Sequence, residues 1–145
     1  MTSYRLIAPE SSEEWRTYHG IRRKVLFENR GQFGVYYESH SDEFAQGNHP
    51  LLLEYNGALI GVIRIDIADP VAIFRRVAIR DELQRRGHGK AMLSLAEAFS
   101  RENGCSLIRS FVNPGAVGFY ERCGFAHDGS IPTDPNHIPM SKRLV

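Results

Sequence analysis

The chain has 145 residues, 42% hydrophobic and 24% charged, with 18 Lys and Arg against 17 Asp and Glu for a formal net charge of +1. That length suits one domain, residues 1–145, large enough to fold around its own core. The even charge argues against a dedicated nucleic-acid binder, the two cysteines Cys105 and Cys123 cannot make a disulfide framework, and the short apolar runs leave no membrane span. The opening segment MTSYRLIAPESSEEWR lacks the apolar stretch of a signal peptide, so a cytoplasmic setting is expected.

Ser3 to Ala8 reads as a first strand. Ser11-x-x-Glu14 has the form of a capping box, and Trp15, Tyr18, Ile21 and Val25 predict a helix to about Asn29. The polar, glycine-broken stretch from Glu28 to Pro50 is long for a connection, and such loops are often functional. Leu51 to Tyr55, Asn56-Gly57 and Ala58 to Ile67 predict a hairpin, with Leu59, Gly61, Ile63, Ile65 and Ile67 on one face. A strand over Val71 to Ile79, a helix over about Gly89 to Asn103, and a strand over Ser106 to Val112 follow. Asn113-Pro114 opens a further helix to about Cys123, with a capping amide and proline in the first turn. Phe125 to His127 and His137 to Leu144 close the chain as strands. The order predicts an α/β (α+β) fold, a mixed, mostly antiparallel sheet of about six to seven strands flanked by helices.

The densest chemistry lies in Gln84-Arg-Arg-Gly87-His-Gly89-Lys90, where a strand leads through a glycine turn into a helix. Helix-start amides, the positive end of the helix dipole and Arg85, Arg86 and Lys90 together suit a pyrophosphate. The spacing excludes a Walker loop, because position 84 is Gln and position 91 is Ala. It also excludes a dinucleotide fingerprint, because Met92 stands where a third glycine is needed.

Gln84-x-x-Gly87-x-Gly89 resembles the acetyl-coenzyme A signature of the GNAT N-acetyltransferase superfamily, and Arg76-Val-Ala-Ile79 is similar to the strand before it. Asn113-Pro-Gly-Ala-Val-Gly-Phe-Tyr120-Glu-Arg-Cys-Gly-Phe125 resembles that family's second hallmark. The resemblance implies a sheet splayed between the strands Val71–Ile79 and Ser106–Val112, and acetyl transfer from acetyl-CoA to an amine by direct attack in a ternary complex. It implies that main-chain groups of Val77, Ala78 and Ile79 pair with the pantetheine arm, that Arg85 to Lys90, His88 included, cradle the pyrophosphate with Gln84 also in the cofactor site, and that Asn113 contacts the arm. Tyr120 is the implied general acid.

Family members often place a glutamate on one of the two central strands, where this chain has Ile73 and Ile108. Glu38 and Asp42 are then the first candidates for the base, ahead of Glu43, His40, His49 or a water chain ending at Ser110. His88 is expected exposed in its turn, and Cys123 is read as a small buried residue. The six histidines show no metal-ligand spacing, so no metal is expected. The contrary reading is a non-catalytic acyl-CoA-binding regulatory module that lost its base. A small-molecule or peptide amine is the expected partner, with no nucleic acid or membrane, and a homodimer stays open.

The net charge also divides along the chain. Residues 75 to 90 hold Arg75, Arg76, Arg80, Arg85, Arg86 and Lys90 against Asp81 and Glu82. Residues 28 to 54 hold Glu28, Glu38, Asp42, Glu43 and Glu54 against Arg30 alone. The expectation is a basic pole for the cofactor phosphates and an acidic pole that draws in a cationic amine.

Overall fold

Ser11 starts the first helix by the capping box its sequence announces: its hydroxyl accepts from the Glu14 amide at 3.0 Å, and the Glu14 carboxylate accepts from the Ser11 amide at 3.0 Å. The computed structural model describes residues 3–145. Helix α1 spans Ser12–Arg22 and follows strand β1, Tyr4–Ile7. The expected continuation to Asn29 is helical but not α: Arg23–Phe27 is a wider π turn and Glu28–Arg30 a 3-10 turn. A π turn carries an extra residue, which lets the adjacent Val25 and Leu26 both reach the apolar cluster under α1.

Strands β2 (Asn48–Tyr55), β3 (Ala58–Ala68) and β4 (Val71–Ile79) make an antiparallel meander. Helix α2 (His88–Glu102) then crosses the sheet to β5 (Leu107–Val112), which pairs parallel to β4. Helix α3 (Val117–Arg122) leads to β6 (Ala126–His127) and β7 (Ile138–Arg143). The strand order is β1-β2-β3-β4-β5-β7-β6, one open sheet of seven strands. Among the described residues, no helix is long and apolar enough to cross a membrane.

Each face of the sheet has its own core. Met92, Leu93 and Ala96 of α2 and Tyr120 of α3 pack on Leu51, Leu53, Ile63, Ile65, Phe74 and Ile108. On the other face Tyr18 and Ile21 of α1 pack on Leu52, Val62 and Ala78. Leu59 belongs to this second cluster, not with Ile63 and Ile65 as simple alternation predicts. The cause is a bulge: Leu53 pairs with Gly61 and Glu54 with Leu59, so Ile60 is extra and the alternation inverts on either side of it.

The β3–β4 register holds a second bulge, where Val62 pairs with Ala78 but Arg64 pairs with Arg75. Arg76 and Val77 thus face Ile63 alone, and Arg76 takes a left-handed φ of 55°. A bulge of this kind bends its strand and sharpens its twist. Strand β4 pairs with β5 only as far as Phe74 and Ser110, and beyond them the two strands part.

Below α1 lies one buried polar cluster. The Arg22 guanidinium forks onto Glu43, Nη1 to Oε1 at 2.6 Å and Nη2 to Oε2 at 3.1 Å, and the Tyr18 hydroxyl donates to Oε2 at 2.9 Å. Arg22 also donates to the Tyr18 hydroxyl and lies over its ring, 4.2 Å from the centroid. The two charged side chains are 5% and 3% exposed, so each depends on the other for its solvation. Through Glu43 this pair fastens the 3-10 turn Ser41–Phe44, and with it the loop before β2, to α1. Replacing Glu43 by Ala strands a buried guanidinium; the domain is expected to lose about 3–5 kcal/mol, read as a lower urea midpoint at unchanged slope.

Candidate active site

Where β4 and β5 separate, the two faces of the sheet open into one cleft of about 490 Å³. From the α2–α3 side it is lined by Phe74, Ser110, Val112, Asn113, Ala116 and Tyr120. From the α1 side come Leu26, Arg30, Asp42, Arg64, Asp66, Arg75 and Arg76, with Phe111 and His137 also on the wall.

Tyr120 is set by its helix and its neighbours. Asn113 caps the preceding turn, its Oδ1 accepting from the Gly115 amide at 3.0 Å, and Pro114 supplies the first-turn geometry. The Tyr120 ring is then clamped edge-on between Phe119 (5.4 Å) and Phe125 (5.2 Å). Burial pushes its phenol up to about 12, tempered by Ser110 beside it. The group therefore keeps its proton throughout the neutral range. The Ser110 hydroxyl donates to the Phe74 carbonyl at 3.2 Å, across the last paired rung of β4 and β5.

The glycine turn lies at the end of β4. Gln84 is exposed, and its Nε2 donates to the Ile79 carbonyl at 2.9 Å and ties the turn to the strand. Gly87 sits at φ 87°, where a side chain is strained. Gly89 serves packing, since a Cβ there would stand 3.1 Å from the Phe119 ring. Helix α2 has no side-chain cap and no acid in its first turn. Among the described residues Arg85, Arg86 and Lys90 form no ion pair. Uncapped amides beside uncommitted cations are what an anion needs, so the residues present fit a pyrophosphate.

His88 departs from expectation. Its side chain is buried, with Nδ1 2.8 Å from the Tyr4 hydroxyl and its ring 4.6 Å from that of Tyr55. The helix begins one residue earlier than predicted, at His88, so this side chain turns into the first helical turn and packs on β1 and β2. Only its main chain is left for a ligand. Val77 lines the cleft, whereas the side chains of Ala78 and Ile79 are buried in the two cores. Ala78 and Ile79 pair with β3, and the other main-chain edge of the strand from Arg75 on has no strand partner.

The expected charge poles are rearranged. Arg75 and Arg76 belong to the cleft, not to the glycine turn. The acids of the 28–54 segment are largely spent: Glu38 is half-exposed on Arg23 at 2.6 Å and lines no part of the cleft, Glu43 is buried on Arg22, and Glu54 pairs with Arg5. Asp42 reaches the cleft, but on Arg64 at 3.1 Å and His40 at 2.6 Å. Its burial would raise its pKa; Arg64 and then His40 outweigh that and hold it below the usual carboxylate range. His49 packs on the Phe99 ring at 5.1 Å. Asp66, which the sequence did not single out, accepts from both Arg64 (2.7 and 2.9 Å) and Arg75 (2.9 Å). Neither Ile73 nor Ile108 lines the cleft, and Ile108 is fully buried. His137, also missed, stands at the end of the 128–137 loop, with Nδ1 3.4 Å from Asp134. Cys123 lies in a separate depression with Lys90 and Lys142, and burial raises its thiol pKa.

The sequence matches the Acetyltransferase (GNAT) family over residues 6–125. A curated Bacillus subtilis protein named among the acetyltransferases is 24% identical over 140 residues, covering 92% of each chain. A solved Lactobacillus plantarum structure, described as an N-acetyltransferase, superposes with a TM-score of 0.80 at 25% identity, covering 99% of each chain. Spermidine N-acetyltransferase from Vibrio cholerae, solved with CoA and spermine, superposes at 0.75 with 19% identity, covering 97% of this chain and 95% of that one. A family match over most of the length, on a sheet that opens at the same parallel pair the motifs bracket, makes this chain a member of the GNAT acetyltransferase family.

Proposed function

We propose that the protein is an N-acetyltransferase that moves the acetyl group of acetyl-CoA to a small amine by direct attack in a ternary complex. Bound acetyl-CoA supplies the acetyl thioester and leaves as the thiol. The observation that carries the reading is the cleft, where the unpaired edge of β4 and the clamped Tyr120 phenol share one opening, with β4 leading in the chain to the uncapped start of α2. Main-chain groups of Val77, Ala78 and Ile79 take the pantetheine amides as an added strand. Main-chain amides of Gly87, His88, Gly89 and Lys90, with the side chains of Arg85, Arg86 and Lys90, take the pyrophosphate, while Gln84 holds the turn in place. Asn113 caps its turn through Oδ1 and leaves its side-chain amide for the arm.

Tyr120 Oη delivers the proton to the departing sulfur. An ordinary phenol is a weaker acid than a thiol, but the same dry surroundings that raise Tyr120 also penalise a bare thiolate beside it. For the base, Glu38 is out of reach and Asp42 is held as a weak one by Arg64. His137 is, among the described residues, the imidazole on the cleft wall, and it takes this role through water. The absence of a free carboxylate in the cleft favours, as the second reading, a module that binds acyl-CoA without turnover.

Tyr120→Phe preserves the ring packing and removes the proton. A thiol-release assay is expected to show kcat lowered about a hundredfold or more, with coenzyme A affinity unchanged by calorimetry. Tight coenzyme A binding with no thiol release from the wild type on any of a broad set of amines would establish the second reading instead. Gly87→Glu puts a strained carboxylate into the anion site, and coenzyme A binding is expected to vanish while thermal melting still shows a folded domain. Retained affinity would overturn the pyrophosphate assignment.

A further inference from the structure

Four arginines and two aspartates line the cleft, an excess of two positive charges. Asp66 and Asp42 are both committed, to Arg64 and Arg75 and to Arg64 and His40. Arg76 and Arg30 have no carboxylate and no hydrogen-bond acceptor among the described residues. Arg76 instead lies over the Phe27 ring, its guanidinium carbon 5.3 Å from the centroid, a contact that occupies the face of the cation and none of its N–H donors. It is held there from the β4 bulge with a left-handed backbone that a non-glycine residue adopts only at a cost. Arg76 is exposed along the cleft, and partial desolvation first, then the neighbouring Arg22 and Arg64, lower its pKa.

Resting on the acetyltransferase reading, we infer that the acceptor is a small amine that also carries an oxyanion group, a carboxylate or a phosphate, and that Arg76 with Arg30 binds that group. A polyamine would bring further positive charge to a wall that already has an excess, whereas an oxyanion completes the vacant guanidinium donors in a fork. The same surroundings favour the neutral, nucleophilic form of the acceptor's amine, because nearby positive charge disfavours the ammonium. A cleft with no free carboxylate base thereby has an electrostatic substitute for part of one.

The test compares acceptors that share a skeleton: phenylalanine, phenylalaninamide and phenethylamine, together with glutamate, O-phosphoethanolamine and spermidine, each with acetyl-CoA. Acceptors with an oxyanion are expected to show kcat/KM at least tenfold above their amide or unsubstituted partners, and glutamate against O-phosphoethanolamine tells carboxylate from phosphate. Arg76→Asn, which tolerates the left-handed backbone, is expected to cut kcat/KM for oxyanion acceptors at least tenfold through KM, a loss several times larger than for phenylalaninamide, with coenzyme A affinity unchanged. Arg30→Ala, on an exposed turn, is expected to act in the same direction. Preference for spermidine or for the amides, or an equal loss on all acceptors in Arg76→Asn, overturns this inference and leaves amine acetylation standing. Coenzyme A binding with no acceptor modified removes both.

Discussion

Everything at the cleft follows from the place where β4 and β5 stop pairing. Parallel strands held together along their length would satisfy each other's main chain and close the sheet. Here the pairing ends at Phe74 and Ser110, and the bulge at Arg76 and Val77 bends β4 just beyond that rung. One edge of β4 is left unpaired, and the two faces of the sheet open onto one cleft at the gap. In the function proposed above, a ligand inserted there completes the sheet, so binding draws on hydrogen bonds the fold has left unmade.

The gap also sorts chemistry by face. Alternation places Phe74 and Ser110 with Tyr120 on the α2–α3 side, dry and nearly uncharged. Arg75 and Phe111, one residue further along each strand, face the α1 side with Arg64 and Asp66. The Tyr120 phenol thus stands in low-dielectric surroundings, a few residues from a wall rich in ions. Of the acids in the loop before β2, Asp42 pairs with Arg64 on that wall, while Glu38 and Glu43 are absorbed by Arg23 and Arg22 away from it.

Much of this was legible in the sequence. The element order, the Asn-Gly hairpin, the Ser11 capping box and the Asn113 cap are local signals, and local signals survive into the fold. The glycine turn and Tyr120 were legible because they sit in contiguous motifs. What could not be read was anything set by a register shift or a long-range pair. Leu59 changes face because Ile60 is extra, and Arg76 enters the cleft because of a second bulge. His88 turns inward because Tyr4 and Tyr55, distant in sequence, form a slot for it. Counting Glu38 and Glu43 as a free acidic pole failed for the same reason: their partners Arg23 and Arg22 lie a helix away, and charge summed along a chain cannot see pairing.

The fastening of the Ser41–Phe44 turn to α1 through Glu43 has an evolutionary consequence. Between the end of the helical run at Arg30 and the start of β2, the chain's one deeply buried side chain is Glu43, while Phe33, Val35, Tyr37 and Phe44 stand exposed. The segment's other ties, Glu38 to Arg23, Tyr36 to His19 and Asp42 to Arg64, use side chains less buried than Glu43, so length and composition can change around this pin with little effect on the sheet. The motifs proposed to hold the acyl donor lie elsewhere, on β4, α2 and the Asn113 turn. Of this segment Asp42 lines the cleft, so descendants of the fold can redraw the cleft at that one point while inheriting the β4, α2 and Asn113 elements intact.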